Sequence, residues 1–298
     1  MKLSSVLFIV VALISVISLV AIWFYPSIQD YMASNVMWNG LKEFGNEFSA
    51  VPIDSLDDLS SAPENSVLVA IPYLDYTSQE LVNIKRFVDN GGTLLLMDDY
   101  GYGNSVLKYL GVPIRFSNKP LLDPLFSYKN QYLPRITDFA PGVKENGIGA
   151  IMLNHATRLI NVAKPEAVAW SSETSFMDAN DSGSLDPDEP KGPFTVAALL
   201  RLGKGKLAIV ADPSVIINTM VGRDDNYVFI RYLIGSASGE KKIMVDNSHL
   251  TKAPLDVSKT SLLGAREVIS SPYALVGITA LTFVAVSRYT LKKGETVG

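Results

Sequence analysis

Residues 178–189 read Asp178-Ala179-Asn180-Asp181-Ser182-Gly183-Ser184-Leu185-Asp186-Pro187-Asp188-Glu189. This run has the ligand spacing of a twelve-residue calcium loop. Asp178, Asn180, Ser182, Asp186 and Glu189 supply hard side-chain oxygens, Ser184 offers its carbonyl, and Gly183 stands at the sharp turn. Five acidic residues with no base between them repel one another unless a cation intervenes. The competing reading is a solvated acidic hairpin. A true EF-hand is excluded, because a strand pattern at 167–171 precedes the loop and Pro190, Gly192 and Pro193 block a helix after it. The expectation is a structural Ca2+ loop set between strands, where a metal-bound Asn180 would deny the Asn180-Asp181-Ser182 sequon to a sugar.

A second set of polar residues follows predicted strands, the place where open α/β sheets bind ligands. It comprises Asp98, Asp99 and Asn104, then Asp212 and Ser214, then Asp246 and His249. These are the candidates for a groove that holds a peptide, a glycan or a partner. Asp212 and Asn104 serve equally well as helix caps. Glycines 101 and 103 would let backbone amides approach a ligand, or simply permit a turn. Ser105 or Ser214 with His249 and Asp246 could form a Ser-His-Asp set, yet no G-x-S-x-G elbow is present. His155 and His249 lack the H-E-x-x-H spacing of a zinc site. With no cysteine there is no thiolate nucleophile and no disulfide. Neither Gly101-Tyr102-Gly103 nor Gly203-Lys204-Gly205 is a phosphate fingerprint, so no nucleotide or organic cofactor is evident.

The elements that must position these residues are legible in the hydrophobic pattern. Ser66–Pro72 is a short apolar run typical of a buried parallel strand. Thr77-Ser78-Gln79-Glu80 spells a capping box, Leu81, Ile84, Phe87 and Val88 share a helical face, and Gly91-Gly92 stops the helix. Thr93–Met97 is the next strand, which makes a right-handed βαβ unit. A short helix is expected at 105–110, with strands near 112–116, 150–153, 167–171 and 195–200. A tight turn at 202–206 leads into an antiparallel partner at 207–211. A helix at 226–234 and a strand at 243–245 follow, while 117–148 reads as a long surface excursion.

The ends differ from the middle. Val6–Tyr25 carries no charge and closes on Trp23-Phe24-Tyr25-Pro26, the pattern of an uncleaved membrane anchor. Val268–Val286 is the second apolar stretch, followed by Arg288, Lys292 and Lys293. The positive-inside rule then puts both termini in the cytoplasm and the middle outside the cell membrane. The expected organisation is a terminus at 1–5, a span at 6–25, an α/β domain at 26–250, a polar connector at 251–267, a span at 268–287 and a basic tail at 288–298. A net charge of −4 without a basic run argues against nucleic acid.

Taken in order, several motifs resemble domain-of-unknown-function family 4350. They are Gly91-Gly92-Thr93-Leu94-Leu95-Leu96, Asp99-Tyr100-Gly101-Tyr102-Gly103-Asn104, the acidic loop running into Gly192-Pro193-Phe194, Gly203-Lys204-Gly205, Asp212-Pro213-Ser214 and Asp246-x-Ser248-His249. The resemblance implies a flavodoxin-like, class I glutamine-amidotransferase-like sandwich with a mostly parallel sheet, in archaeal-type membrane proteins. It also implies partners of the MoxR-type ATPase and von Willebrand-like kinds. Amidotransferases of that fold use a cysteine, which this chain lacks. The leading expectation is therefore a non-enzymatic, two-pass membrane scaffold with a calcium-stabilised binding domain outside. The alternatives are a surface hydrolase of peptides or glycans using His249 with nearby Asp and Ser, and an ancillary transporter subunit.

Overall fold

The computed structural model describes residues 3–59, 63–235, 241–269, 271–274, 276–277, 279–280, 283–284 and 287. The chain forms two compact units, residues 26–251 and the two ends, 1–25 with 252–298. The larger unit is built on strands β1 (Val51–Ile53), β2 (Ser66–Ala70), β3 (Thr93–Met97), β4 (Asp138–Phe139), β5 (Ala167–Trp170), β6 (Thr195–Leu202), β7 (Gly205–Val210) and β8 (Lys242–Asp246). They form one mixed sheet in the order β1-β8-β2-β3-β7-β6-β5-β4. From β1 to β7 every neighbour is parallel, and from β7 to β4 every neighbour is antiparallel.

The central strands are apolar at consecutive positions because both faces are covered. Val67 and Val69, Leu95 and Met97, Ala208 and Val210 point to one core, shared with helix α5 (Asn226–Ile234) through Phe229, Ile230 and Leu233. Leu68 and Ala70, Leu94 and Leu96, Leu207 and Ile209 point to the other, which packs on α3 (Ser78–Asp89) and α4 (Gly103–Tyr109). Helix α3 starts as its residues dictate. Thr77 accepts from the Glu80 amide, and the Glu80 carboxylate accepts from the Thr77 amide at 2.8 Å.

Three expectations need correction. The sheet is mixed rather than mostly parallel, because β6 returns through the tight 202–205 turn and two further antiparallel strands are added beyond it. The 117–148 stretch is no mere surface excursion. It supplies β4 and buries Leu121, Leu122, Ile136 and Val143. The polar connector is largely the helix α6 (Pro254–Ile269).

The ends also depart from expectation. Helix α1 (Leu3–Phe24) is, among the described residues, the one helix long and apolar enough to cross a membrane. This corrects the two-pass topology with both termini inside. Part of the proposed second span and all of the 288–298 tail lie outside the described residues. Within their unit, α1 and α6 meet where Lys259 donates to the Tyr25 carbonyl and Arg266 lies 5.9 Å from the Trp23 ring centre.

The hairpin joining β6 and β7 closes directly on the end of α3. A Cβ built on Gly205 would stand 2.2 Å from the Gly92 carbonyl oxygen and 2.4 Å from that of Val88. Backbone cannot yield as a side-chain tip does. Gly205→Ala should therefore cost roughly 1–3 kcal/mol, seen as a lower urea midpoint at unchanged slope.

Candidate functional site

Strands β2, β3, β7 and β8 end along one edge of the sheet, and the sequence-derived candidates sit there. Asp98, just after β3, is buried and organises its own loop. Its Oδ1 accepts from the amides of Asp99 (2.9 Å) and Gly101 (2.7 Å), and Oδ2 accepts from Gly103 (2.7 Å). Glycine is needed at 101 because a Cβ there would lie 2.3 Å from the Pro72 carbonyl oxygen. The glycines thus bring amides to Asp98 rather than to a ligand. Asn104 is neither a cap nor a groove residue, for its side-chain amide bonds both main-chain groups of Phe116.

Two clusters form from the remaining candidates. In the first, the His249 ring is held between carboxylates. Nδ1 is 2.7 Å from Asp246 Oδ2, Nε2 is 3.4 Å from Glu80 Oε2, and the Tyr76 ring lies 3.8 Å away, centre to centre. Ser248 donates to Asp246, and so does the Tyr76 hydroxyl. Burial alone would lower the His249 pKa, but Asp246 and then Glu80 raise it overall. Burial works against the Asp246 charge, yet His249 and Ser248 hold its pKa down. Both ring nitrogens face carboxylates; Ser248 Oγ lies 3.0 Å from Nδ1, but it donates to Asp246 and shares that nitrogen with the acid, whereas a triad puts serine and acid on opposite ring nitrogens. Ser105 donates to Asp75, and Ser214 pairs with Tyr31.

The second cluster joins the ends of β3 and β7. The Tyr73 hydroxyl donates to Asp99 Oδ1 at 2.9 Å and lies 3.4 Å from the Tyr31 hydroxyl, which is 3.1 Å from Ser214 Oγ. The Tyr31 and Tyr73 rings stack at 5.4 Å. Asp212 caps the short turn Pro213–Ile216 through the Ser214 amide and also accepts from Asn154. Burial pushes Asp212 up to about 8 and Asp98 up to about 7, and it raises Asp99 as well. Among the described residues no cation is bonded to any of the three, and the charge of Asp99 adds to the rise of Asp98 and Asp212. Asp99 Oδ2 has no hydrogen-bond partner among the described residues.

Beside this cluster opens a cavity of about 390 Å³ lined by Tyr100, Asn118, Lys119, Pro120, Tyr132, His155 and Asp181. Tyr132 and His155 stack with ring centres 4.9 Å apart. Three lining residues adopt left-handed backbone, Asn118 (φ 53°), His155 (φ 57°) and Asp181 (φ 59°). Such strain concentrates at functional sites. None of the cavity's polar side chains has a hydrogen-bond partner among the described residues. A larger cavity of about 510 Å³ lies between α5 and the helix α2 (Lys42–Phe48), and no sequence-derived candidate lines it.

The acidic loop forms one wall of the smaller cavity through Asp181, and Gln131 anchors it by donating to the Gly183 carbonyl at 2.6 Å. Asp178 is buried and accepts from the amides of Ser182 and Gly183. Asn180 donates to Asp186, Ser182 donates to the Ser184 carbonyl, and Glu189 accepts from the amides of Ala179 and Asp186. Among the described residues no three acidic or histidine side chains gather closely enough to hold a metal ion.

Sequence reasoning missed Tyr31, Tyr73, Tyr76, Lys119, Tyr132 and Asp181 as site members. Their spacing carries no period, and only folding brings them together.

These features define an α/β domain with a mixed sheet and a polar site along the carboxyl ends of its parallel strands. The chain belongs to the family Domain of unknown function (DUF4350), which matches residues 33–234. No curated protein matches it. Among solved structures it is similar to the mmIFT52 N-terminal domain at 17% identity and a TM-score of 0.47, over 61% of this chain and 81% of that one. It is also similar to a β-galactosidase from Bacillus circulans sp. alkalophilus, at 14% identity and a TM-score of 0.34, over 59% of this chain and 23% of that one. An exo-β-1,4-mannosidase from Opitutaceae bacterium strain TAV5 gives 12% identity and a TM-score of 0.32, over 66% of this chain and 28% of that one. The chain therefore spans only a minor part of either glycosidase.

The expectation of a domain that is no enzyme is withdrawn: glycoside hydrolases recur among the similar structures, at TM-scores too low to assign an activity. The single candidate span among the described residues corrects the two-pass part of the scaffold description. No TM-score here reaches 0.5, so chemistry has to be argued from the side chains.

The His249 clamp has a pH signature. Its raised pKa gives a contribution to stability that is complete below the unfolded value of roughly 6.5 and is lost as pH rises through the folded one. The depressed Asp246 and Glu80 contribute above their unfolded values of roughly 4, and that part is lost as pH falls. His249→Gln should therefore lower Tm most between roughly pH 5 and 6, with the deficit shrinking toward pH 9. A deficit constant with pH in thermal melts would mean that the ring contributes packing alone.

Proposed function

We propose that this domain, tethered by α1, is a surface hydrolase acting on a glycan. The observation that carries the reading is Asp99. Burial raises the pKa of its carboxyl group, which has one oxygen without a hydrogen-bond partner among the described residues, beside a cavity of aromatic rings and unpartnered polar groups. Aromatic faces receive the apolar side of a sugar, and convergent polar groups take its hydroxyls. Glycoside hydrolysis requires a proton donor at the glycosidic oxygen and a second carboxyl group for the water.

In the proposed step Asp99 gives its proton to the leaving oxygen as the bond to the anomeric carbon breaks. Water adds its hydroxyl to that carbon and passes its proton to Asp181. Tyr73 orients Asp99 by donating to its Oδ1. This replaces His249 as the acting group, because its nitrogens are committed to Asp246 and Glu80.

Full-length protein in nanodiscs should hydrolyse members of a panel of aryl glycosides and oligosaccharides. Asp99→Asn should lower kcat at least about 100-fold, and the wild-type rate should fall as pH rises through the elevated Asp99 pKa. His249→Gln should stay within about twofold of wild type at pH 7, since an effect on folding alone leaves the chemistry of folded molecules intact. Absence of turnover across the panel, or an unimpaired Asp99→Asn variant, would overturn the reading.

For residues 178–189 we propose a structural calcium site. The donors are hard oxygens of the class calcium takes, set around a glycine turn at φ 70°. Asp178, Asn180, Ser182, Asp186 and Glu189 would hold the ion with the Ser184 carbonyl after giving up their present hydrogen bonds within the loop. Millimolar calcium should raise Tm, and Asp178→Ala with Glu189→Ala should abolish the rise. Identical melts in calcium and in chelator would leave an acidic turn only.

A further inference from the structure

We propose that the sugar taken by this cavity is an acidic one, whose carboxylate is received by Lys119. The inference rests on the glycan reading above and goes beyond it to the substrate class.

Lys119 is placed firmly. Its amide donates to Thr157 Oγ1 at 3.2 Å, and its carbonyl accepts from the same hydroxyl at 2.8 Å. Thr157 is fully buried, and Ser117 shares its hydroxyl at 2.9 Å. On one side stands Asn118 with left-handed backbone, and on the other Pro120, whose carbonyl receives the Asp178 amide at 2.9 Å. A main chain held on both sides aims a charged side chain at lower entropic cost.

The charge itself is uncompensated. In a chain of net charge −4, the Lys119 ammonium lies within ion-pair distance of no carboxylate among the described residues, although Asp181 lines the same cavity. An ammonium is a compact point charge suited to a carboxylate. His155 adds ring nitrogens with no hydrogen-bond partner among the described residues. Asn118 is left to take hydroxyls, Asp181 keeps its place beside the water, and Tyr100 and Tyr132 offer ring faces. Asp212 behind the site is held neutral by burial, at about 8, so it does not repel an incoming anion at pH 7.

The test is calorimetric titration of the full-length protein with oligogalacturonate and with its methyl-esterified, neutral counterpart. The acidic oligomer should bind about 10- to 100-fold more tightly, the range of one hydrogen bond to a charged group. Lys119→Met should remove that preference and Lys119→Arg should keep most of it. Lys119 is exposed, so neither change threatens the fold. Equal binding of the two oligomers, or a preference that survives Lys119→Met, would overturn this inference and leave the glycan reading standing. If neither oligomer binds and no glycoside is turned over, the glycan reading fails and takes the inference with it. Tighter binding of a short peptide through its free terminal carboxylate would keep the role of Lys119 but overturn the sugar.

Discussion

Carboxyl groups are buried where four parallel strands end together. Asp98, Asp99, Asp212 and Asp246 each sit within two residues of a strand terminus, almost wholly out of water. A buried carboxylate must find a cation, collect hydrogen bonds, or keep its proton. Asp246 finds His249, and its pKa falls. Asp98 and Asp212 collect amides, which do not match the cost of burial, and their pKa values rise. Asp99 has a tyrosine, an amide and one free oxygen. The same residue type at the same edge is thus divided by its neighbours into a structural ion pair and a proton store.

The mixed sheet makes this division possible. Its parallel half brings strand ends into register and so concentrates polar loops on one edge. The antiparallel half, reached through the β6–β7 turn, carries the loops that supply Tyr132, His155 and Asp181 as an outer wall. Those loops are irregular, with several residues in left-handed backbone. They are held by buried side chains such as Thr157, Asp178 and Asn226 rather than by repeating strands. Segment 26–41 adds Tyr31, itself at φ 57°, so a stretch just beyond the apolar helix becomes part of the site.

Much of the scaffold was legible. The βαβ unit at 66–97, the capping box, the 226–234 helix and the antiparallel turn at 202–206 lie close to where the pattern puts them. Each depends on local rules, namely apolar periodicity, a four-residue capping box, or a glycine stop. The 117–148 region was misread because its strands are two residues long and carry too few positions to show a period. Helix α6 was read as a connector because its polar residues mask a weakly amphipathic run. Of the site, the sequence named the acidic residues after each strand but not their partners.

By itself the sequence determined that no sulfur chemistry is available, that acids cluster at strand ends, that an apolar helix opens the chain, and that family 4350 is its kin. Only the tertiary structure decided which acid meets a cation and which keeps a proton. The reason is that a pKa is set by what surrounds a group in space. The surroundings of Asp99 come from Tyr31, Tyr73 and Ser214, and the cavity beside it from residues between 100 and 181, brought together by no spacing along the chain.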